Sequence, residues 1–453
     1  MKSSLPKPLH PLAGAPMTRH VIDACRAAGI ARIVVVIGHE AEQVRSGLGE
    51  DVEYAHQPTQ RGTGHAALCA QPTLGSFRGP IVFIAGDVPL IEADTIRDLI
   101  AAATQADGSS STVCGAMLVA TSDDPTGYGR VILTDDGSVE RIVEQKDANE
   151  AEAAIRLWNP SVYCFQSDAL WQRLSRIGST NAQGEQYLTD VVALTRDDGE
   201  RILPLHVAED EVMGVNTRVD LAEAERLMRR RILIGLMLSG VTIVDPSSTY
   251  VDAQVTIEPD TVIHPNSYLY GRTRIGANCI VGPMALLRDA LIGDDCRILA
   301  SQISESTLGS GVRVGPYANL RPGCVIGDRA KIGDFVEMKN ATIGSGVAAS
   351  HLSYVGDAIV GDRTNIGAGT VTCNYDGVDK HRTVIGNDAF IGSNTVIVAP
   401  LAIGDGALTA AGSVLTRDVP ADALAVARSR QENKEGWARR KRSSRTAKEV
   451  DGG

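Results

Sequence analysis

Between about residue 270 and residue 415 the chain repeats a six-residue unit, in which an aliphatic residue and Gly precede four mostly small or polar residues. Consecutive pairs are mostly six, eleven or twelve residues apart, and an eleven is two units that lack one residue. Such a repeat predicts a parallel β-helix, in which the aliphatic side chain enters a narrow core and the small residue turns the corner. Gly tolerates the positive φ that such corners can need and does not crowd the next coil. The pairs are Ile275-Gly276, Val281-Gly282, Ile292-Gly293, Leu308-Gly309, Val314-Gly315, Ile326-Gly327, Ile332-Gly333, Ile343-Gly344, Val355-Gly356, Val360-Gly361, Ile366-Gly367, Ile385-Gly386, Ile391-Gly392 and Ile403-Gly404.

Composition limits the classes of protein to which this chain can belong. Its 453 residues are enough for two or three domains, and 43% hydrophobic with 22% charged residues is ordinary for a globular protein. A net charge of −11 disfavours a nucleic-acid binder, which needs a basic surface. The sequence has no long apolar run, so we expect neither a membrane span nor a signal peptide. Eight cysteines without CxxC spacing indicate reduced, mostly buried thiols and a cytoplasmic location.

The first half of the chain alternates helix-like and strand-like segments. Arg32–Ile37 and Pro80–Ala85 are continuous apolar runs, which are typical of central parallel strands buried on both faces. The alternation predicts a doubly wound α/β domain, whose ligands bind at the carboxyl ends of the strands.

These patterns divide the chain into four parts. We expect the α/β domain over residues 1–217 and a linking helix over residues 218–240, where helical periodicity is uninterrupted before Gly235. The β-helix is expected over residues 241–420. The basic tail, residues 421–453, is either a solvated end or an arm that meets a phosphate-bearing ligand.

Two interruptions of the repeat are candidate sites, because loops on a rigid scaffold concentrate binding groups. One carries His351, whose imidazole can act as a general base near neutral pH. The alternative is a surface histidine bonded to backbone. The other interruption carries Cys373–Asp376 and Lys380. A zinc site is a competing interpretation, but His264 lies several coils from His351, which disfavours an open site of three imidazoles.

Two patterns in the first half also suggest binding. Asp87 follows an apolar strand, where a carboxylate can hold Mg²⁺ against phosphate oxygens or can instead cap the next helix. Arg61–Ala66 (RGTGHA) joins a strand to a helix-like stretch, and its glycines can let the backbone approach a base or phosphate. An ordinary strand–helix turn explains the same pattern.

Together these features resemble the family of bifunctional enzymes that combine glucosamine-1-phosphate acetyltransferase with N-acetylglucosamine-1-phosphate uridylyltransferase. The resemblance extends from Met1 to Trp437. It implies an α/β nucleotidyltransferase-like domain, a left-handed parallel β-helix, and a homotrimer in which acetyl-CoA and sugar phosphate meet between subunits. The motifs are LPK (Leu5–Lys7), QRGTGHA (Gln60–Ala66), GDVPL (Gly86–Leu90), DPTGYGR (Asp124–Arg130), IVEQKDA (Ile142–Ala148), NAQGEQYLTD (Asn181–Asp190), GVNTR (Gly214–Arg218), RPG (Arg321–Gly323), FVEMKN (Phe335–Asn340), HLSYVGDA (His351–Ala358), NIGAGT (Asn365–Thr370), CNYDG (Cys373–Gly377) and KEGW (Lys434–Trp437).

For the acetyltransferase, the resemblance implies that His351 is the base that deprotonates the sugar 2-amine for direct attack on the thioester. Glu337 would support the tautomer of His351, and Tyr354 and Asn365 would bind the sugar. A phosphate clamp of Arg321, Lys339 and Lys380 agrees with the need of a dianion for several fixed cations. The implied acetyl-CoA contacts are Ala368, Asn374, Tyr375, Ser393, Ala411 and Arg428.

For the uridylyltransferase, the resemblance implies attack of the sugar phosphate on UTP with release of pyrophosphate. Asp87 and Asn216 would hold Mg²⁺, which neutralises developing charge. The implied nucleotide contacts are Lys7, Gln57, Gly62 and Thr63, and the implied sugar contacts are Gly129, Glu144 and Asn159.

The sequence also departs from the family pattern. The family has a strand and a Gly-rich signature ahead of LPK, and Met1 falls on the last residue of that signature, so we expect a truncated first domain and weak uridylyl transfer. Pro160-Ser161 after Asn159 replaces a small residue and Gly, Met213 replaces an acidic residue and Pro8 an aliphatic one. The alternatives are a monofunctional acetyltransferase with a non-catalytic first domain, a non-catalytic scaffold, and a metal-dependent hydratase.

Overall fold

The structure is a computed structural model that describes residues 1–105 and 112–450, with side chains described as far as residue 443. Its contacts divide the chain into two compact units. Unit 1 consists of Met1–Gly235 and Val251–Gln254, and unit 2 consists of Leu236–Tyr250 and Val255–Gly453.

Unit 1 alternates strands and helices, as the sequence predicts. Its strands are β1 Pro11–Leu12, β2 Ala15–Pro16, β3 Val34–Ile37, β4 Glu53–His56, β5 Pro80–Ile84, β6 Val113–Thr121, β7 Gly129–Leu133, β8 Val139–Val143, β9 Leu157–Asn159, β10 Val162–Gln166 and β11 Arg201–His206. Its helices are α1 Met17–Ala27, α2 Ala41–Leu48, α3 Thr63–Leu74, α4 Ala93–Thr104, α5 Glu150–Ala153, α6 Ser167–Leu174, α7 Asp190–Asp197 and α8 Arg218–Leu238, with 3-10 turns at Lys7–Leu9 and Glu209–Glu211.

The main sheet of unit 1 is mixed, which differs from the parallel sheet expected from the apolar runs. Strand β5 pairs antiparallel with β10, and β11 pairs parallel with β6. Strands β3 and β4 form a separate parallel pair. In β3 only Ile37 is buried, and in β5 only Ile81 is buried, so the prediction of two strands buried on both faces is wrong. An apolar run indicates that a segment has few polar residues, but it does not indicate where the strand lies in its sheet.

Helices cover both faces of the main sheet, as a doubly wound arrangement requires. On one face, α3, α6 and α7 pack against a cluster that includes Met117 and Phe165. On the other face, α1 and α4 pack against a cluster that includes Leu118 and Trp158. These side chains are at most 2% exposed, so both faces contribute hydrophobic burial to stability.

Unit 2 contains the parallel β-helix that the six-residue repeat predicts, and it is left-handed, as the family resemblance implies. Each coil contributes short strands to three sheets. Face A contains Thr242–Ile243, Val262–Ile263, Ile280–Val281, Arg297–Ile298, Arg313–Val314, Lys331–Asp334, Ala348–His351, Asn365–Ile366, Phe390–Ile391, Leu408–Thr409 and Leu424–Ala425. Face B contains Tyr250–Val251, Tyr268–Tyr270, Leu286–Arg288, Gln302–Ser304, Asn319–Leu320, Glu337–Lys339, Tyr354–Gly356, Val371–Cys373, Val396–Val398 and Val414–Leu415. Face C contains Thr256–Ile257, Arg274–Ile275, Leu291–Ile292, Thr307–Leu308, Val325–Ile326, Thr342–Ile343, Ala358–Val360, Thr383–Ile385 and Leu401–Ile403.

The aliphatic residue of each repeat points into the prism. On face A, Ile332, Ala349 and Ile366 stack in register and are at most 3% exposed. The residue before each of them points outwards, as the alternation of a strand requires. A side chain on the surface of one coil therefore has its neighbours on the adjacent coils, not along the chain.

Other segments agree with the sequence in part. The linking helix is α8, and the tail contains a helix, α9 Trp437–Val450, which the sequence did not indicate. The cysteines are free and buried, except for the half-buried Cys69 and Cys373. In the described ranges, no helix is both long enough and apolar enough to cross a membrane.

The inward stacking predicts unequal effects for two neighbouring residues of face C. Ile343 is 2% exposed, whereas Thr342 points outwards. We expect Ile343→Ala to lower the free energy of unfolding by about 2–5 kcal/mol, because it leaves a cavity between coils. Thr342→Ala should change it by less than ~0.5 kcal/mol. Urea unfolding measures both, and equal losses would contradict the assignment of inward and outward sides.

Candidate active sites

One corner of the β-helix brings together residues that are far apart in the chain. The strand register places Asp334, His351, Ala368, Ser393 and Ala411 at the same position of successive coils, at the end of face A. Adjacent coils of a parallel ladder lie about 4.8 Å apart. The predicted base and three of the predicted acetyl-CoA contacts therefore form one row, which we call the corner row.

His351 has a carboxylate partner that the sequence did not indicate. Its Nδ1 lies 2.7 Å from Oδ1 of Asp334, one coil below. The hydrogen bond from His351 holds the pKa of the Asp334 carboxyl below its usual range, with smaller contributions from backbone and from Lys331. The imidazole is 61% exposed, and its Nε2 has no hydrogen-bond partner among residues 1–105 and 112–450. The ring thus has one nitrogen bound and one available.

Glu337 does not support His351 as predicted. Its carboxylate accepts a hydrogen bond from Arg321 across 2.9 Å, so the two form an ion pair on face B. Glu337 is the register partner of Tyr354, so both residues lie on face B, which begins after the corner at His351. The carboxylate that contacts the imidazole of His351 is that of Asp334, not that of Glu337.

Cations cluster on face B, as the predicted phosphate clamp requires. Arg321 and Lys339 occupy successive coils, since their strands pair in register. The ammonium of Lys380 lies close enough to lower the pKa of Lys339, and Arg321 contributes to the same shift. Asp357 offsets part of this repulsion. A concentration of like charge on a fixed scaffold is suited to binding an anion with more than one negative charge.

The loop that carries Lys380 has a defined shape. Tyr375 and Lys380 pair across it as an isolated bridge. At its tip, Asp376 accepts hydrogen bonds from two backbone N–H groups and contacts Nε2 of His381 at 2.8 Å. These bonds hold the pKa of the Asp376 carboxyl well below its usual range. At its base, the Asn374 side chain donates to Asp357 across 2.5 Å.

Three predicted residues of unit 2 have looser positions. Asn365 is half-buried on face A, in the coil after His351 and three residues before Ala368. Tyr375 is 59% exposed, and its hydroxyl donates to the carbonyl of Gly377. Arg428 is exposed beyond the last strand of the β-helix. Within the described residues, none of these three side chains forms a hydrogen bond with the His351 ring.

In unit 1, the predicted metal ligands lie together. The ammonium of Lys7 donates to the carboxylate of Asp87 and, across 2.6 Å, to Oδ1 of Asn216. The backbone supports this arrangement, because the N–H of Val215 donates to the carbonyl of Asp87. Asn216 is oriented further by Asp220, which accepts its N–H at the start of α8. Two side-chain oxygens thus converge on one cation.

The glycine-rich turn approaches another part of the chain. Gly62 has a φ of +103°, and a Cβ there would lie 2.5 Å from the carbonyl oxygen of Gln186. Thr63 accepts the N–H of Leu188, and Gln57 donates to the carbonyl of Gly62. The turn therefore needs Gly for its own packing, and these predicted nucleotide contacts lie side by side.

The predicted sugar contacts also come together. Gly129 and Asn159 are register partners, and a Cβ at Gly129 would lie 3.5 Å from Oε2 of Glu144. Both polar groups of the Asn159 side chain are used internally, by Tyr163 and by the N–H of Ser161. Ser161 has a φ of +61°, a conformation that favours Gly. The family pattern has Gly at this position.

The sequence analysis missed Asp334 and the contact between Asp376 and His381, although it named Asp376 as part of a candidate loop. Asp334 stands seventeen residues before His351, which is the length of the local coil. Aligning successive coils of the repeat by their length would therefore have identified Asp334 as the neighbour of His351. Nothing in the repeat indicates the Asp376–His381 pair, which lies in a loop outside it.

Three family models match the chain. Residues 1–191 match the MobA-like NTP transferase domain. Residues 254–289 and 382–417 match the bacterial transferase hexapeptide model, and residues 304–399 match the GMPPB C-terminal domain. The matches therefore cover both units.

Curated relatives match over nearly the whole chain. The bifunctional protein GlmU of Brevibacillus brevis is 48% identical over 97% of this chain and 94% of the relative. That of Pelobacter propionicus is 48% identical over 96% and 95%, and that of Halalkalibacterium halodurans is 47% identical over 97% and 96%. The chain belongs to the bifunctional GlmU family. As a GlmU family member it is a bifunctional transferase with an acetyltransferase and a uridylyltransferase activity.

The burial of Glu144 leads to a prediction about stability and pH. Desolvation raises the pKa of its carboxyl, partly opposed by a hydrogen bond from Thr189. A raised pKa in the folded state means that ionisation costs stability as pH rises above the ordinary range of a carboxyl. We expect Glu144→Gln to raise the melting temperature at pH 7.5. The variant should lose this advantage below about pH 4, because the Glu144 carboxyl of the parent is then protonated in both the folded and the unfolded chain.

Glu140 provides the control for this prediction. It lies in β8, the strand that Glu144 directly follows, and its carboxylate pairs with Arg141 and Arg196. Glu140→Gln should give no gain at pH 7.5. A Glu144→Gln variant that is less stable than the parent at pH 7.5 would show that its ionised form is favoured by the fold.

Proposed function

We propose that the chain transfers the acetyl group of acetyl-CoA to glucosamine-1-phosphate and, with Mg²⁺, the uridylyl group of UTP to N-acetylglucosamine-1-phosphate. The products of the second step are UDP-N-acetylglucosamine and pyrophosphate. The corner row carries the first assignment, because it aligns the base His351 with the acetyl-CoA positions beside a cluster of cations. Membership of the GlmU family supports both.

The side chains above His351 suit a long, narrow acyl donor. Ala368, Ser393 and Ala411 are small and stack over it in register. They leave space along the corner for an extended chain whose thioester would reach the base. The Nε2 of His351 would take a proton from the sugar 2-amine as that amine attacks the thioester carbonyl.

The cations of face B would place the sugar. A phosphate held by Arg321, Lys339 and Lys380 would relieve the repulsion that lowers the pKa of Lys339. Around the corner from His351, Tyr354 lies at the start of face B, and Arg321 and Lys339 lie further along that face. A sugar phosphate bound there would direct its amine towards the corner row.

For uridylyl transfer, the oxygens of Asp87 and Asn216 suit a hard cation, because both already converge on the Lys7 ammonium. Mg²⁺ held there would neutralise charge that develops on phosphate oxygens. Lys7 would bind the phosphates of UTP, with Gln57, Gly62 and Thr63 nearby in the nucleotide site. The sugar would contact Gly129, Glu144 and Asn159, which the fold already brings together.

Assembly as a homotrimer is supported by an apolar ridge beside His351. Met284, Ala300, Tyr317, Phe335 and Leu352 have positive φ and occupy the same corner of successive coils. All but Ala300 are 55–64% exposed, and Tyr317 stacks on Phe335 with centroids 5.5 Å apart. Contiguous exposed apolar side chains of this kind are typical of an interface. Copies related by threefold symmetry would cover the ridge and enclose the corner row, and the trimer would act in the cytoplasm.

The two activities are expected to fail separately. His351→Ala should lower kcat for acetyl transfer by about 10²–10⁴-fold, because it removes the base. Asp87→Ala should remove uridylyl transfer and leave acetyl transfer intact, because it removes the charged metal ligand. The measurement is thiol release from acetyl-CoA with glucosamine-1-phosphate and pyrophosphate release from UTP with N-acetylglucosamine-1-phosphate, on the same preparations.

His264→Ala is the matched control, since it removes a half-buried histidine of the same β-helix. Undiminished acetyl transfer by His351→Ala would refute the assignment of the base. The weak uridylyl transfer expected from the sequence stays a prediction, and the pyrophosphate assay on the unaltered chain tests it.

The trimer predicts a mass in solution of three times the 47.9 kDa of one chain. Changing Tyr317 and Phe335 together to Asp should shift the mass measured by light scattering towards that of one chain, because it places charge on the ridge. Leu133→Asp, on an exposed apolar residue of unit 1, should leave the mass unchanged. A parent chain that elutes with the mass of one copy would contradict the trimer.

A further inference from the structure

We propose that Asp334 is a positioning residue for acetyl transfer: it holds His351 in the tautomer that carries hydrogen on Nδ1 and leaves Nε2 free to accept a proton. The proposal rests on the proposed role of His351 as the base. It assigns a role to a carboxylate that neither the sequence analysis nor the family comparison indicated.

The geometry of the pair is set by the coils and not by flexible loops. Asp334 and His351 are register partners at the ends of adjacent strands of face A. The N–H of Leu352 donates to the carbonyl of Asp334 across 2.8 Å, and the hydroxyl of Ser353 donates to the carbonyl of His351 across 2.9 Å. The backbone on both sides of the side-chain contact is therefore fixed.

The chemistry of the contact determines the tautomer. An ionised carboxylate can only accept a hydrogen bond, so the imidazole nitrogen that meets it must carry hydrogen. The contact is made by Nδ1 at 2.7 Å, which leaves the lone pair of the neutral ring on Nε2. A base needs that lone pair, and the opposite tautomer would present N–H to the amine.

No other described group can take the place of Asp334. Glu337, on face B, is paired with Arg321. On the coil above, the corner-row position is Ala368, which has no polar side chain, and Asn365 lies three residues before it. Lys331, on the strand of Asp334, contributes to keeping Asp334 ionised. Tyr354, the next titratable residue after His351 in the chain, lies on face B.

The same carboxylate would act during the reaction. As the amine nitrogen forms its bond to the acetyl carbon, its proton moves to Nε2 of His351. The carbon–sulfur bond then breaks, and the imidazolium returns the proton to the departing thiolate of coenzyme A. While the ring is charged, Asp334 lies against its Nδ1–H, so a negative charge faces the positive one.

The test compares Asp334→Asn, Asp334→Ala and Asp334→Glu in the full chain. A buried aspartate that serves a catalytic histidine is worth about 10⁴ in kcat, and Asp334 is 40% exposed, so we expect a smaller loss, on the order of tenfold to a hundredfold. KM for both substrates should change by less than about threefold, since Asp334 contacts neither. Asp334→Glu should recover part of the activity, because it restores a carboxylate.

Two further measurements separate positioning from a structural role. Loss of the negative charge makes protonation of the imidazole less favourable, so the acid limb of the pH profile should move to lower pH in Asp334→Asn. In the unaltered chain, the nitrogen chemical shifts of the His351 ring should report hydrogen on Nδ1. A ring with hydrogen on Nε2 would overturn the proposal, even if every variant failed to fold.

Asp388→Asn is the matched control, because Asp388 is also an exposed, ion-paired carboxylate of the β-helix, with Arg363 as its partner. It should keep full activity. If Asp334→Asn also stays within twofold of the parent while His351→Ala is inactive, the positioning role is wrong and the base stands. If His351→Ala is itself active, the proposed function fails first.

Discussion

Parallel stacking of coils is the interaction on which the acetyltransferase unit depends. Each short strand forms its backbone hydrogen bonds with the coil above and the coil below, and the inward aliphatic residues stack on one another in register. A residue therefore meets residues about one coil length away in sequence at a spacing of about 4.8 Å. An insertion cannot be absorbed within the stack and is expelled as a loop, as in the segment that carries Lys380. The same constraint gives the unit both its rigidity and the fixed positions of its surface groups.

Close packing of the coils also determines how near the two members of the acid–base pair can lie. A Cβ at Gly333 would lie only 1.9 Å from the carbonyl oxygen of Ser350, so that position must be Gly if the two coils are to touch. Gly333 directly precedes Asp334, and Ser350 directly precedes His351. The small residue of the repeat, which first indicated the fold, is thus the residue that brings the carboxylate within 2.7 Å of the imidazole. Here a packing requirement and a chemical requirement are met by the same close approach.

The sequence predicted what depends on periodicity and missed what depends on register. The inward residues and the parallel β-helix follow from the repeat alone, because hydrophobic burial selects an aliphatic residue at each inward position. The repeat does not predict the partner of His351, because hydrophobic burial does not select an outward side chain at a corner. The resemblance to the family motif pointed to Glu337 instead. In unit 1 the apolar runs gave the strands, but not that β5 pairs antiparallel with β10, because pairing is decided by distant segments. The residues predicted to bind sugar, Gly129, Glu144 and Asn159, lie beside one another because Gly129 and Asn159 pair across β7 and β9, and Glu144 directly follows β8, which also pairs with β7.

The two sites differ in how their charges are balanced. In unit 1 the ammonium of Lys7 contacts the carboxylate of Asp87 directly, so its charge is compensated within the protein. In unit 2, Lys339 and Lys380 repel each other, and Asp357 offsets only part of that repulsion. An anion arriving at unit 2 removes an existing repulsion, whereas a ligand arriving at unit 1 must replace an existing ion pair. Added salt would screen the exposed cations of unit 2 and so weaken attraction of the sugar phosphate, while the Lys7–Asp87 contact, being direct and half-buried, would be screened less. Phosphate recognition in the two units thus starts from opposite electrostatic states, although both present lysine to the same chemical group.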